Sequence, residues 1–120
     1  MSDIRVNTIS DAAGTGPVDL HKQSAAKAWA NTNSGGAPLS SFNVASVTDS
    51  STGNYTINFT SSFTLNGNDL GVAVALCAGN NGEDVRCADS TSGTLEIRSY
   101  NSSNAQFDRH VSASVHGELA

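Results

Sequence analysis

A chain of 120 residues carries 24 Ile, Leu, Val or Phe, 28 Ser or Thr, 12 Asn and 11 Gly, and 6 Lys+Arg against 11 Asp+Glu leave a net charge of −5. That is one small domain with at most an appended arm, polar through neutral hydroxyls and amides, which suits a β-rich fold with many turns. Two Lys and four Arg, none clustered, cannot build the cationic surface that phosphate neutralisation needs, and the longest nearly unbroken apolar run, Leu70 to Ala78, is about half of a membrane-spanning helix. Neither a nucleic-acid partner nor membrane insertion is therefore expected. The opening Met1-Ser2-Asp3-Ile4-Arg5 lacks a basic stretch followed by an apolar one, so a chain made in a cytoplasm without a secretory signal is expected.

Residues 1 to 37 read as an arm and linker. Ile4, Val6 and Ile9 alternate with polar residues, and Leu20 follows a run of small residues, Gly and Pro from Asp11 to Pro17. These few apolar side chains cannot offset the ordering entropy of such a segment, so they are expected to attach to a partner. Asp19 is a candidate N-cap for an Ala-rich helix of two or three turns running to Trp29, and an extended reading of Ala26 to Asn31 competes with it. Trp29, the one tryptophan, is expected to pack the arm on the body, with a sugar-stacking platform as the alternative.

After Asn33-Ser34-Gly35-Gly36-Ala37-Pro38, period-two alternation predicts strands through residues 38 to 120. Phe42 and Val44 form one apolar face, Tyr55, Ile57 and Phe59 a second, Leu70 to Leu76 a third, and Leu95 with Ile97 a fourth. Phe107, Val111, Ala113 and Val115 share one parity of a long last strand. Turn chemistry at Asp49–Asn54, Asn66–Asp69, Gly79–Gly82 and Asn101–Asn104 separates them. The expected fold is an antiparallel, jelly-roll-like β-sandwich whose core includes Trp29, Phe42, Val44, Tyr55, Ile57 and Phe59. With only seven aromatic residues the core is thin, and oligomerisation is the expected supplement.

Ser24-Ala25-Ala26-Lys27-Ala28-Trp29-Ala30-Asn31, then Ser41-Phe42-Asn43-Val44-Ala45-Ser46-Val47-Thr48-Asp49, then Thr52-Gly53-Asn54-Tyr55-Thr56-Ile57-Asn58-Phe59 resemble a block of bacteriophage tail-fibre and virion spike proteins, KAW.N followed by FNVSS.TD...GDYT.NF. Ile4 to Ile9 with Ala13-Gly14-Thr15-Gly16 resembles the opening of such fibre proteins. The block departs from the family at Thr32, where Phe is frequent, and ends at Phe59. The resemblance implies a non-enzymatic structural protein of a tailed phage or phage-like particle, homotrimeric, docked to other virion proteins by its N-terminal arm and meeting a host-surface glycan or protein with its distal half. A head fibre or capsid decoration protein, and a free lectin-like module, are the alternatives.

Polar residues of the turns are the candidate receptor contacts: Asn80, Asn81, Glu83, Asp84, Asn101 and Asn104. With Asp89, the first four could also hold Ca²⁺, although solvated loop is the simpler reading. Cys77 and Cys87 flank Asn80–Gly82, and a hairpin there would set them opposite each other for a disulfide; two free thiols are the alternative, since assembly takes place in a reducing cytoplasm. His110 and His116, six residues apart on one strand, would form rings of histidines in a trimer about that strand and could bind a metal, whereas surface or interface histidines are the simpler reading; His21 lies in the arm. No nucleophile elbow, His-Glu-x-x-His helix or phosphate loop occurs, so neither catalysis nor a cofactor is expected.

Overall fold

A computed structural model describes residues 26–64, 70–77 and 81–120. Eight strands follow one another, β1 (Ala28–Thr32), β2 (Pro38–Phe42), β3 (Val44–Ser51), β4 (Asn54–Phe59), β5 (Gly71–Leu76), β6 (Asp84–Ser90), β7 (Thr94–Tyr100) and β8 (Val111–His116). They form two antiparallel four-stranded sheets, ordered β2-β1-β8-β5 and β3-β4-β7-β6, hereafter sheets A and B. The described residues contain no helix. In three places sequence neighbours pair directly (β1–β2, β3–β4, β6–β7), so the order is closer to linked hairpins than to the jelly-roll-like one expected.

The two sheets share one apolar layer. Sheet B supplies its bulk from the inward parity of β4 and β7, where Tyr55, Ile57, Phe59, Leu95 and Ile97 are buried. Sheet A answers with small residues: Ala28, Ala30 and Ala113 are buried beside Val111 and Val115. Large side chains on one wall are met by small ones on the other, which fills the space between two sheets about 10 Å apart. At one end Phe63 closes the layer, edge-on to Phe59 at 5.0 Å between ring centroids.

This division corrects two core assignments. Trp29 is 39% exposed and Phe42 is 53% exposed; the two sit opposite each other in the β1–β2 register, on the outer face of sheet A. Alternation in Ala-Trp-Ala puts either the alanines or the tryptophan inside, and the crowded wall of sheet B leaves room only for the alanines. Phe42 belongs to β2 rather than pairing within the hairpin of β3 and β4, which Thr52 and Gly53 close. Val44 is half-buried against the core, and Tyr55, Ile57 and Phe59 are buried as expected. Phe107 is exposed and precedes β8.

The linker boundary also moves. β1 is a central strand, paired with β2 on one side and β8 on the other, so the sandwich takes in residues that composition had given to the linker before Pro38. Of the competing helical and extended readings, the described Ala28–Thr32 follows the extended one. The arm residues Ile4, Val6, Ile9, Leu20 and His21 lie outside the described residues.

Candidate functional site

Antiparallel strands sort the connections onto two ends. At the base end lie the entry to β1, the β2–β3, β4–β5 and β6–β7 connections, and the exit from β8. There Lys27 N–H donates to the Val115 carbonyl, Thr64 N–H to Glu118, and Ala120 N–H to Ser62. Asn43 carries the chain from sheet A to sheet B in a single residue with φ 55°. Its side chain ties the neighbourhood together, donating to the Lys27 and Ser61 carbonyls and accepting from Ser61 N–H.

The opposite end is built from the β1–β2, β3–β4, β5–β6 and β7–β8 connections. Two of them repeat one design. Asn33-Ser34-Gly35-Gly36-Ala37 and Asn101-Ser102-Ser103-Asn104-Ala105 both open with Asn, whose Oδ1 accepts from the N–H groups two and four residues on at 2.9 to 3.0 Å. In each, the first and fifth residues share a backbone hydrogen bond, and the fourth sits at positive φ, Gly36 at 75° and Asn104 at 59°. Gly and Asn tolerate that left-handed conformation, and an Asn side chain that mimics a backbone turn pins the loop without help from the core.

Tyr55 is the hub beneath these loops. Its hydroxyl donates to the Ser34 carbonyl at 2.9 Å and accepts from Arg109 N–H at 3.1 Å, and Asp108 lies 3.4 Å away. Asp108 in turn accepts from Gly53 N–H at 2.6 Å. Burial pushes the Tyr55 phenol above its ordinary pKa; the Arg109 N–H opposes this, while the Asp108 and Asp49 carboxylates add to it. Arg109 pairs through both donor groups with Glu83, while its guanidinium lies 4.2 Å over the Phe107 ring. The loop end is therefore a braced platform in which Tyr55, Asp108, Arg109 and Glu83 are spent on one another and on the loop backbone, while Asn54 Oδ1 beside Gly53 is buried without a hydrogen-bond partner.

One cluster on its rim faces water. Arg86 Nε donates to Asp84 Oδ2 at 2.7 Å, Nη2 donates to Asn104 Oδ1 at 3.1 Å, and the guanidinium lies 4.4 Å over the Tyr100 ring. Asp84 and Arg86 are about half exposed. The Arg86 hydrogen bond holds the Asp84 carboxyl below its ordinary pKa, which favours the carboxylate. A carboxylate, a guanidinium, an amide and a phenol on one rim offer fixed donors and acceptors to a hydroxyl-rich or polar ligand.

Of the residues predicted from the turns, Asp84 and Asn104 join in this cluster through Arg86. Glu83 and Asn101 lie at the same end but hold structure, Glu83 on Arg109 and Asn101 inside its own turn. Asn81 is exposed in the β5–β6 connection, and Asn80 is outside the described residues. A Cβ on Gly82 would lie 3.1 Å from that of Ser102, so two loops far apart in sequence touch here. Sequence reasoning missed Arg86 and Tyr100. The signal available was Asp84-Val85-Arg86, whose period-two spacing puts opposite charges on one strand face.

The cysteines are both free. β5 and β6 belong to different sheets, so no hairpin sets Cys77 against Cys87 and the disulfide reading falls. Cys77 lies 3.2 Å from Asn31 Oδ1, and partial burial with nearby Asp89 and Glu96 pushes the Cys87 thiol up. His110 and His116 bracket β8, both half-buried, and among the described residues no three His, Cys, Asp or Glu gather as a metal-binding group. No helix among them is long and apolar enough to cross a membrane. No protein-family model, curated protein or solved structure matches this chain.

Proposed function

We propose that the chain is a non-enzymatic structural protein of a tailed phage or phage-like particle, a short fibre or spike subunit acting as a homotrimer. The arm before Ala26 docks it to the particle, and the loop end meets a glycan or protein of the host surface. The polarity of the sandwich carries this reading: the chain enters β1 at the base end, and the braced loops with the Asp84, Arg86, Tyr100 and Asn104 rim occupy the opposite one. A body held from its entry side presents that rim outward. Weak polar contacts at each copy then gain strength from the number of copies on one particle.

The test compares the full chain with one that lacks residues 1–25, which leaves β1 in place. The full chain is expected to co-sediment with particles and the shortened one to stay in the supernatant with its β-type circular dichroism intact. Attachment without residues 1–25 would refute the arm as the anchor. Immunogold labelling at the tail supports the fibre reading, and labelling on the capsid would replace it with a head fibre or decoration protein. Asp84→Ala together with Arg86→Ala should leave particle attachment unchanged and lower adsorption of the particle to its host.

A further inference from the structure

The outer face of sheet A differs from every other surface of the sandwich. β1, β2, β5 and β8 contain no Lys, Arg, Asp or Glu, in a chain whose net charge is −5. Register and alternation arrange their outward side chains in rows, Phe42, Trp29, Ser114 and Ala73 in one and Ser40, Asn31, Ser112 and Ala75 in the next. Trp29 and Phe42 stand up on the β1–β2 half, whereas the β8–β5 half is low along these rows, with Ala73, Ala75, Ser112 and Ser114, and His116 opposite Gly71 bounds it at the base end. The face is a ridge beside a trough.

We propose that this face is where copies of the chain meet, the Trp29–Phe42 ridge of one packing into the Ala73–Ala75–Ser112–Ser114 trough of the next. Shape and charge both select a second copy as the occupant. A ridge and a trough on the same face fit each other when a two-fold axis runs parallel to the strands, and equally when head-to-tail contacts close a ring of three. Acidic copies repel one another, and this face lets them approach without bringing charges together. Small residues in the trough let two sheets come close, and a buried Trp with a neighbouring aromatic is the kind of anchor that dominates an interface. The same pairing explains why the shared core is thin: apolar surface missing inside is supplied between copies. The surface rests on the oligomer of the reading above and not on its docking to a particle, so a failure here removes the oligomer and leaves the particle test standing, and the reverse.

The experiment uses the full chain, with sedimentation velocity and the fluorescence of Trp29, the one tryptophan, followed through a dilution series. The expected result is a dimer or trimer mass with blue-shifted Trp29 emission, and a red shift that appears together with loss of mass on dilution. Trp29→Ser with Phe42→Ser, and separately Ala73→Arg with Ala75→Arg, should each weaken association by roughly thirtyfold or more while far-UV circular dichroism is retained, the size of losing an interface anchor. Glu96→Ser on the other sheet should leave the mass unchanged. A monomer with solvent-exposed Trp29 at every concentration overturns the proposal. So does a monomer with shielded Trp29, since the chain would then cover its own face, and so does an oligomer that survives both double substitutions.

Discussion

Sheet B turns its bulk inward and its polarity outward; in sheet A, β8 and β5 turn Val111, Val115, Val72 and Val74 inward, whereas β1 buries alanines and Trp29 and Phe42 stand outside. Inside, Tyr55, Ile57, Phe59, Leu95 and Ile97 press on Ala28, Ala30 and Ala113. Outside, sheet B shows Thr48, Thr56, Glu96 and Asp89 along one row, with Arg98 and Arg86 in the next, while sheet A shows Trp29 and Phe42 beside Ser and Ala. Both sheets are amphipathic; the large apolar parity marks the interior in β4, β7, β5 and β8, and in β1 it does not. The core of the same chain does not cover Trp29 and Phe42.

The sharpest way to break that contrast is to remove comparable apolar bulk from each sheet. Ile97→Ala, at a position without exposed surface, is expected to cost about 2–5 kcal/mol through lost transfer energy and the cavity left behind. Trp29→Ser removes a larger side chain from sheet A and should leave urea unfolding of the monomer nearly unchanged. An equal loss from both would mean that Trp29 belongs to the core energetically. Gly53→Ala comes next. Its φ is +68°, and a Cβ there would lie 2.6 Å from Phe107 N and 2.7 Å from Ser99 O, backbone atoms that cannot step aside. The left-handed conformation alone costs about 1–2 kcal/mol, and the clash adds to it; loosening of the loop end should accompany the loss, visible as faster amide exchange at Ser99.

A smaller effect concerns Tyr55, which with Ser99 brings a hydroxyl to the inward parity of sheet B. Tyr55→Phe strips the Ser34 carbonyl and Arg109 N–H of a partner, about 1–3 kcal/mol for two partly buried groups. Its phenol has a folded-state pKa above the usual 10.0, so the folded chain holds this proton more tightly than the unfolded one. The stabilisation is thus complete below pH 10 and is lost as pH rises through the folded value. Urea midpoints of the native chain should fall above pH 10, and Tyr55→Phe should flatten that part of the fall.

How much was legible separates β1 from the other core strands. In β4 and β7, Tyr-Thr-Ile-Asn-Phe and Leu-Glu-Ile-Arg alternate large apolar with polar residues, and reading the apolar parity as inward gives the observed burial. In β1 the same rule picks Trp29 and fails, because inward position there is set by the volume that sheet B leaves, which only the folded pair of sheets defines. The turns were legible as turns from their Asn and Gly, but which loops share an end depends on strand order. Hence Asp84 and Asn104 could be chosen from sequence, whereas Arg86 and Tyr100, which join them, lie within strands and gave no turn signal.

The smallest expected effect probes the outer face of sheet B directly. Arg98 donates through Nε and Nη2 to one oxygen of Glu96, at 3.0 and 2.7 Å, in a partly exposed pair. Water screens such a pair and two long side chains lose freedom in forming it, so its geometry overstates its contribution. Arg98→Ala should move the urea midpoint less than any substitution above, and raising the salt concentration should shrink even that difference. A salt-insensitive loss comparable with that of Tyr55→Phe would mean that this face, too, is covered in the assembled protein, and the contrast between the sheets would then be one of charge rather than of solvent.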